Sequence, residues 1–324
     1  MPTIYTHSGD FHSDELVAIA LIQQFACPDG EAVEIVRTRR KERLAEALTD
    51  DEAFVVDVGG QYDPAALNFD HHQEGGGDAW PDGLPKSSCG LVWSWLRDTG
   101  KLDHLGVELC DRMEQELIRP IDAHDNGVDR WAFAPLFRMY NRTGGSEPVV
   151  RAQFEQALGV AQSLVANQLH QVEADLTAEA YLRECWQQAQ ADGERLVVVR
   201  RELGNRTAPT LLARLSGFEA DLLLYPQNVS QKNNKWFIRA LPESEGATEY
   251  RMRVPTELRG KQNVELDVGQ GLVAKLAFVH NSGFLAQVEG SLEDAWAVAK
   301  WVAQHPENDR QVNASSKPER CCKP

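Results

Sequence analysis

Apolar and polar positions alternate in two rhythms along the first half of the chain. Residues 2–7, PTIYTH, read as a short strand that ends in polar residues. Residues 13–26, SDELVAIALIQQFA, place Leu16, Ile19, Ala20 and Phe25 at helical spacing behind a Ser13 N-cap. The alternation continues with AVEIVRT (32–38) as a strand, RKERLAEAL (40–48) as a helix and AFVVDV (53–58) as a third strand. Strands separated by such helices predict an α/β fold, a mostly parallel sheet flanked by helices. Ligands of these sheets collect at the carboxyl ends of the strands, which is where His7 and Asp57 fall. SSCGLVWSWLRDTG (87–100) and GVELCDRMEQELIRPIDAHDNG (106–127) predict two further helices, and residues 149–190 are helix-like with Gly159 as a break.

From about residue 193 the texture changes to short β-like runs, RLVVVRRE, ADLLLYPQ, KWFIRAL and YRMRVP, separated by turn signals. SLEDAWAVAKWVAQH reads as a closing helix capped by Ser291. The expected organisation is a first domain over residues 1–190 and a second, smaller α+β domain over 191–304. Residues 305–324 form a polar tail expected to be disordered.

Bulk properties narrow the function. A net charge of −16 over 324 residues argues against a protein that coats long nucleic acids, which needs a basic face. Bound divalent ions would reverse that sign locally, so short phosphorylated substrates stay open. The N-terminus lacks a basic region followed by an apolar stretch, and no apolar run reaches the roughly 18 residues of a membrane span. The six cysteines (Cys27, Cys89, Cys110, Cys185, Cys321, Cys322) have no CxxC spacing, which suggests neither a zinc ribbon nor a disulfide framework. A reducing cytoplasm is the expected compartment.

Four clusters carry candidate chemistry: THSGDFHSDE with His7, His12 and Asp14; VVDVGG with Asp57; NFDHHQEGGG with Asp70, His71 and His72; and IDAHDNGVD with Asp122 and Asp125 around His124. Each has an ordinary alternative. Asp14 could favour the positive end of a helix, Asp57 could form a turn before Gly59 and Gly60, and paired histidines are often surface residues. All four fall within the first 130 residues, and two directly follow strands. Imidazoles with carboxylates and no thiolate suit Mn2+ or Mg2+ better than structural zinc, and about six such groups suffice for two ions sharing an aspartate. Two ions about 3.5–4 Å apart suit in-line hydrolysis of a phosphate ester or anhydride.

The order of these clusters resembles the DHH phosphoesterase superfamily, named for the triplet seen here as Asp70-His71-His72. It is closer to the melanocyte-proliferating-gene (MYG-type) exonucleases through THSGDFHSDE, EIVRTR, VVDVGGQYDP, FDHHQ, KSSCGLVW, DAHDNG, RVPTELRG and FVHNSGF. The resemblance implies a DHH-type catalytic domain and a Mn2+- or Mg2+-dependent 3′–5′ exonuclease-like phosphodiesterase acting on RNA or short oligonucleotides. By position, the metal ligands are His7, His12, Asp14, Asp57, His71 and one of Asp122 or Asp125. Asp57 is the bridge between two ions, and His72 faces the substrate phosphate. Lys86, Ser87 and Ser88 match a family motif as phosphate contacts, or else cap the next helix. In the second domain Arg251, Arg253, Arg259, His280, Ser282 and Gly283 resemble a terminal-nucleotide grip, the arginines being otherwise a solvated face. The usual Gly-Gly after Ser-Gly-Phe is replaced by LAQV.

Two other readings accompany this one. The same metals could act on pyrophosphate, a cyclic dinucleotide or a nucleoside bisphosphate. Alternatively the chain could bind metal or nucleotide as a non-catalytic regulator. No membrane partner is expected, and a homodimer is left open because no residue pattern fixes the oligomeric state.

Overall fold

The computed structural model describes residues 2–27, 32–141, 145–201, 208–214, 219–227, 234–244 and 247–306. The expected tail therefore lies outside the described residues, apart from its first two positions. The chain divides into two compact units, residues 1–173 and 174–324.

The first unit begins β1 (Thr3–Thr6), α1 (Ser13–Phe25), β2 (Glu34–Arg37), α2 (Lys41–Ala47), β3 (Ala53–Val56), β4 (Tyr62–Asp63) and β5 (Asn68–Phe69). Its sheet has the order β2-β1-β3-β5-β4, parallel except for the β4–β5 edge, as the strand–helix alternation predicts. The register aligns Thr6 with Val56 and Val56 with Phe69. The residues one step beyond each strand (His7, Asp57 and Asp70) are therefore level at one edge of the sheet.

Helices α3 (Ser88–Asp98), α4 (Val107–Met113) and α5 (Arg119–Asp125) follow. Between α4 and α5 the helix widens into a π turn over Glu114–Ile118. Pro120 has no N–H and crowds the carbonyl of the preceding turn, so a local widening there keeps one axis running through to Asp125. Leu16, Ile19, Leu21 and Ile22 of α1 are fully buried, with Leu91, Trp93 and Leu96 of α3, and α1, α3 and α5 pack against one another. That packing sets the N-terminus of α1 and the C-terminus of α5 beside the level strand ends. A short α6 (Ala134–Arg138) precedes α7, a 45-residue helix from Glu147 to Ala191 that absorbs Gly159 without a break. The division between units falls within α7, while the expected boundary at residue 190 falls at its end.

The second unit contains β6 (Leu196–Val198), α8 (Ala208–Arg214), β7 (Leu222–Pro226), β8 (Lys235–Ala240), β9 (Gln262–Asp267), β10 (Val273–Val279), β11 (Leu285–Glu289) and α9 (Leu292–Gln304). Its sheet has the order β6-β7-β8-β11-β10-β9, antiparallel except between β6 and β7, and α9 packs on it. Ser291 caps α9 as expected, its hydroxyl accepting from the Asp294 amide at 3.2 Å. One expectation fails: YRMRVP is not a strand. Met252 and Val254 alternate into the core, but the segment forms only isolated contacts such as Pro242 with Tyr250 and the Val254 amide on the Gly283 carbonyl.

Candidate metal centre

Each level strand end delivers a donor. His7 Nε2 lies 3.2 Å from Asp57 Oδ2 and 3.0 Å from Glu15 Oε1. His71 Nε2 lies 3.3 Å from Asp57 Oδ1, 3.3 Å from Asp125 Oδ2 and 3.9 Å from Asp14 Oδ2. His72 Nδ1 is 2.7 Å from Asp70 Oδ1 and 3.4 Å from Asp57 Oδ1. Among the described residues, three groups hold ligand atoms within 4.8 Å of one another: His7, His12, Glu15 and Asp57; Asp57, His71 and His72; and His12, Asp14 and Asp125. Asp57 belongs to two of them, with one oxygen toward His7 and the other toward His71. Its φ of 57° lies in the left-handed region, which aspartate tolerates better than most residues.

The local sequence explains the placement. His12, not Ser13, occupies the N-cap of α1, and its amide donates to both carboxylate oxygens of Glu15 at 2.8 and 2.7 Å. This is half of a capping box, and it turns Glu15 back toward His7. Ser88, the first residue of α3, donates its hydroxyl to the Phe69 carbonyl at 2.9 Å and to Asp57 Oδ1 at 3.3 Å. Asp70 accepts from the Gly60 amide and from the amide and ring of His72, which ties the loops after β3 and β5 together.

The structure separates Asp122 from Asp125. Asp125 faces His71, whereas both oxygens of the fully buried Asp122 are used elsewhere. Its Oδ1 accepts from the Ser87 amide and hydroxyl and from the Gly90 amide at 3.1, 2.7 and 3.0 Å, and its Oδ2 accepts from Trp80 Nε1 at 2.7 Å. Asp122 thus anchors the positive N-terminus of α3 and is not part of the cluster. Gly90 permits this approach, since a Cβ there would lie 2.1 Å from Asp122 Oδ2.

Electrostatics and burial fit a divalent cation. Both carboxylate oxygens of Asp14 and Nε2 of His71 are buried without a hydrogen-bond partner. Such orphaned atoms cost stability unless a cation satisfies them. Burial, with the charges of Asp57, Asp125 and Glu15, pushes the Asp14 carboxyl well up. Burial alone would lower the His7 pKa, but hydrogen bonds to Asp57 and Glu15 outweigh it and raise it to about 10. Burial would raise the Asp57 carboxyl, but the bond from His7 and the charges of His7 and His71 hold it below the usual range. The field of this cluster gathers positive charge, and a divalent ion competes with protons for the same lone pairs.

The remaining expected residues divide into two groups. Lys86 is buried, pairs with Asp78 at 2.5 Å and lies 4.7 Å from the Trp80 ring, whose other neighbour is Arg119 at 5.2 Å. Lys86, Ser87 and Ser88 are therefore all engaged in holding the loop and helix around the cluster. In the second unit, Arg253 donates to the Ser282 carbonyl at 2.6 Å and Arg259 to the Val254 carbonyl at 2.8 Å. His280 Nδ1 meets the Ser282 hydroxyl at 2.8 Å, and Gly283 has a φ of 73° beneath Arg259. Arg251 reaches the Glu243 carbonyl instead. Glu15 is the donor that sequence reasoning missed. Its one signal was its position three residues after the cap.

The profile of MYG1_exonuc, described as uncharacterised protein family UPF0160, matches residues 3–301. The MYG1 exonuclease of Homo sapiens is 29% identical over 318 residues, taking in 88% of this chain and 81% of that protein. The MYG1 protein of Chlamydia muridarum is 34% identical over 144 residues, 43% of this chain and 44% of that one. Among solved structures, RecJ of Thermus thermophilus in complex with Mn2+ matches 94% of this chain and about half (53%) of its own, at 19% identity and a TM-score of 0.28. That score is too low to decide anything about the fold or the site. No helix among the described residues is long and apolar enough to cross a membrane.

Proposed function

This chain belongs to the MYG1_exonuc family, and from that premise we propose that it is a divalent-metal-dependent phosphodiesterase, a 3′–5′ exonuclease on RNA or short oligonucleotides. The observation that carries the reading is Asp57, whose two oxygens face two histidines from different strands beside the unpartnered oxygens of Asp14. His7, His12, Asp14, Asp57, His71 and Asp125 would hold two Mn2+ or Mg2+ ions, with Glu15 on His7. Bound ions supply a nucleophile at neutral pH by lowering the pKa of water toward about 7, and neutralise charge on the phosphoryl group.

The chain's own side chains do the rest. Ser88 and the two flanking histidines fix the orientation of Asp57. The Asp70 carboxylate, bonded to Nδ1 of the half-exposed His72, raises that ring's pKa. This favours the imidazolium, whose Nε2–H can donate to a phosphate oxygen. In the second unit Arg253, Arg259, His280, Ser282 and Gly283 surround one turn and supply a grip for a terminal nucleotide. Cys27, Cys89, Cys110 and Cys185 are not joined in disulfides, which suits the proposed cytoplasmic setting.

The test supplies Mn2+ with 5′-labelled RNA, 5′-labelled DNA and pyrophosphate in parallel, for the wild type and Asp57→Asn. Asparagine also tolerates the left-handed backbone, so this variant removes charge without adding strain. A ladder of shortening RNA, lost in the variant, is the expected result. Phosphate release from pyrophosphate alone would overturn the reading.

A further inference from the structure

A cavity of about 620 Å³ opens directly beside the metal centre, and the cluster residues His12 and Asp125 form part of its wall. That volume lies within the roughly 300–1,000 Å³ of small-molecule sites. Its far wall is drawn from the segment between Arg130 and Arg138, which the chemistry above does not use and which runs on to Asn141.

The wall is a built one. Asn141 pairs with both backbone groups of Phe11, donating to its carbonyl at 2.6 Å and accepting from its amide at 3.1 Å. The segment is thereby fastened to the loop that carries His12. Buried Trp131 and Phe137 stack at 6.0 Å with an interplanar angle of 16° and form an apolar base with Phe11. The Trp131 amide donates to His124 Nδ1 at 3.4 Å, which leaves the proton of that ring on Nε2 as a donor.

The charge of this wall is unusual for the molecule. Residues 130–141, RWAFAPLFRMYN, contain Arg130 and Arg138 and no aspartate or glutamate, in a chain of net charge −16. Both arginines are exposed on the cavity, and no described carboxylate pairs with either. A guanidinium left without a partner beside an electropositive ion centre fits a phosphate better than any neutral ligand.

We propose that this cavity holds the nucleotide adjoining the scissile phosphate, with Arg130 and Arg138 on its phosphate and the Phe11–Trp131–Phe137 base under its nucleoside. The site then selects substrates carrying a second phosphodiester: an oligonucleotide is gripped, and a mononucleotide or simple diester is not. The inference rests on the phosphodiesterase reading, and its test separates the two.

The probe is a fluorescein-labelled trinucleotide with non-hydrolysable linkages, bound to Mn2+-loaded protein and followed by anisotropy over a salt series. The proteins are the wild type, Arg130→Ala/Arg138→Ala and the corresponding Lys pair. Wild type is expected to bind the trinucleotide at least tenfold more tightly than a labelled mononucleotide. The Ala pair should lose that difference and reduce the log–log salt slope by roughly 0.7 for each phosphate contact removed, and the Lys pair should restore part of it. Trinucleotide binding by the Ala pair equal to wild type in affinity and slope overturns the proposal, as does a wild type that does not discriminate by length. In parallel, shortening of a hydrolysable 5′-labelled RNA by the wild type with Mn2+ reports the phosphodiesterase reading by itself. Its absence would sink that reading while the anisotropy result stood.

Discussion

Asp122 and Asp125 sit one helical turn apart on the same helix, and their roles are opposite. Asp125 meets His71, whereas Asp122 accepts four hydrogen bonds from α3 and Trp80. Burial still pushes the Asp122 carboxyl up to about 6 against those bonds. Because the folded value lies above the unfolded one of roughly 4, the contribution is present below about pH 4 and is lost as pH rises through 6. Asp122→Asn removes this titration and turns an amide N–H toward Trp80 Nε1–H. Urea unfolding should show it destabilised by about 1–3 kcal/mol at pH 7, with the gap to wild type widening toward pH 4.5. Gly90→Ala should cost a similar amount by overpacking, about 1–3 kcal/mol, since its Cβ would meet the same carboxylate. Sequence alone left the two aspartates equivalent. Spacing puts both on one helix face, and only the partner presented by a distant loop tells them apart. Glu15 escaped notice for a related reason: its carboxylate looks like a helix cap until His7 is brought to it.

Elements explain which parts of the site were legible. β3 is an apolar run followed by an aspartate and β1 a short strand followed by a histidine, so His7 and Asp57 could be placed from strand ends alone. The sheet of the second unit was harder to see. Residues 262–267, QNVELD, carry too little apolar alternation to announce β9, while Met252 and Val254 alternate into a core without a ladder. Beside α1, which carries Asp14 and Glu15, α3 supports the centre through its first residue, which bonds Asp57 and the Phe69 carbonyl. Ser88→Ala should leave the fold intact while Mn2+ affinity drops roughly tenfold to a hundredfold, as is usual when a group orienting a ligand is lost. Isothermal titration with Mn2+ measures this directly. An unchanged affinity would mean that the two histidines alone position Asp57.

At the scale of the whole molecule, the charge of −16 means that the proposed oligonucleotide binding would depend on the ions and on the small basic wall beside them. Chelation with EDTA is therefore expected to weaken trinucleotide binding at least a hundredfold, and a metal-free protein that still binds tightly would contradict this. Thermal unfolding gives a second check. Mn2+ at a hundred times its Kd should add about 2.7 kcal/mol to stability for each ion bound, and Asp57→Asn should abolish the gain. The level ends of β1, β3 and β5 also set a mechanical tolerance. A one-residue slip between neighbouring strands displaces a donor by about 3.3 Å and turns side chains to the opposite face. Coordination tolerates only about 0.2 Å. A misassembled copy is thus a silent protein rather than an indiscriminate nuclease, and fidelity of folding doubles as a safety catch on the chemistry.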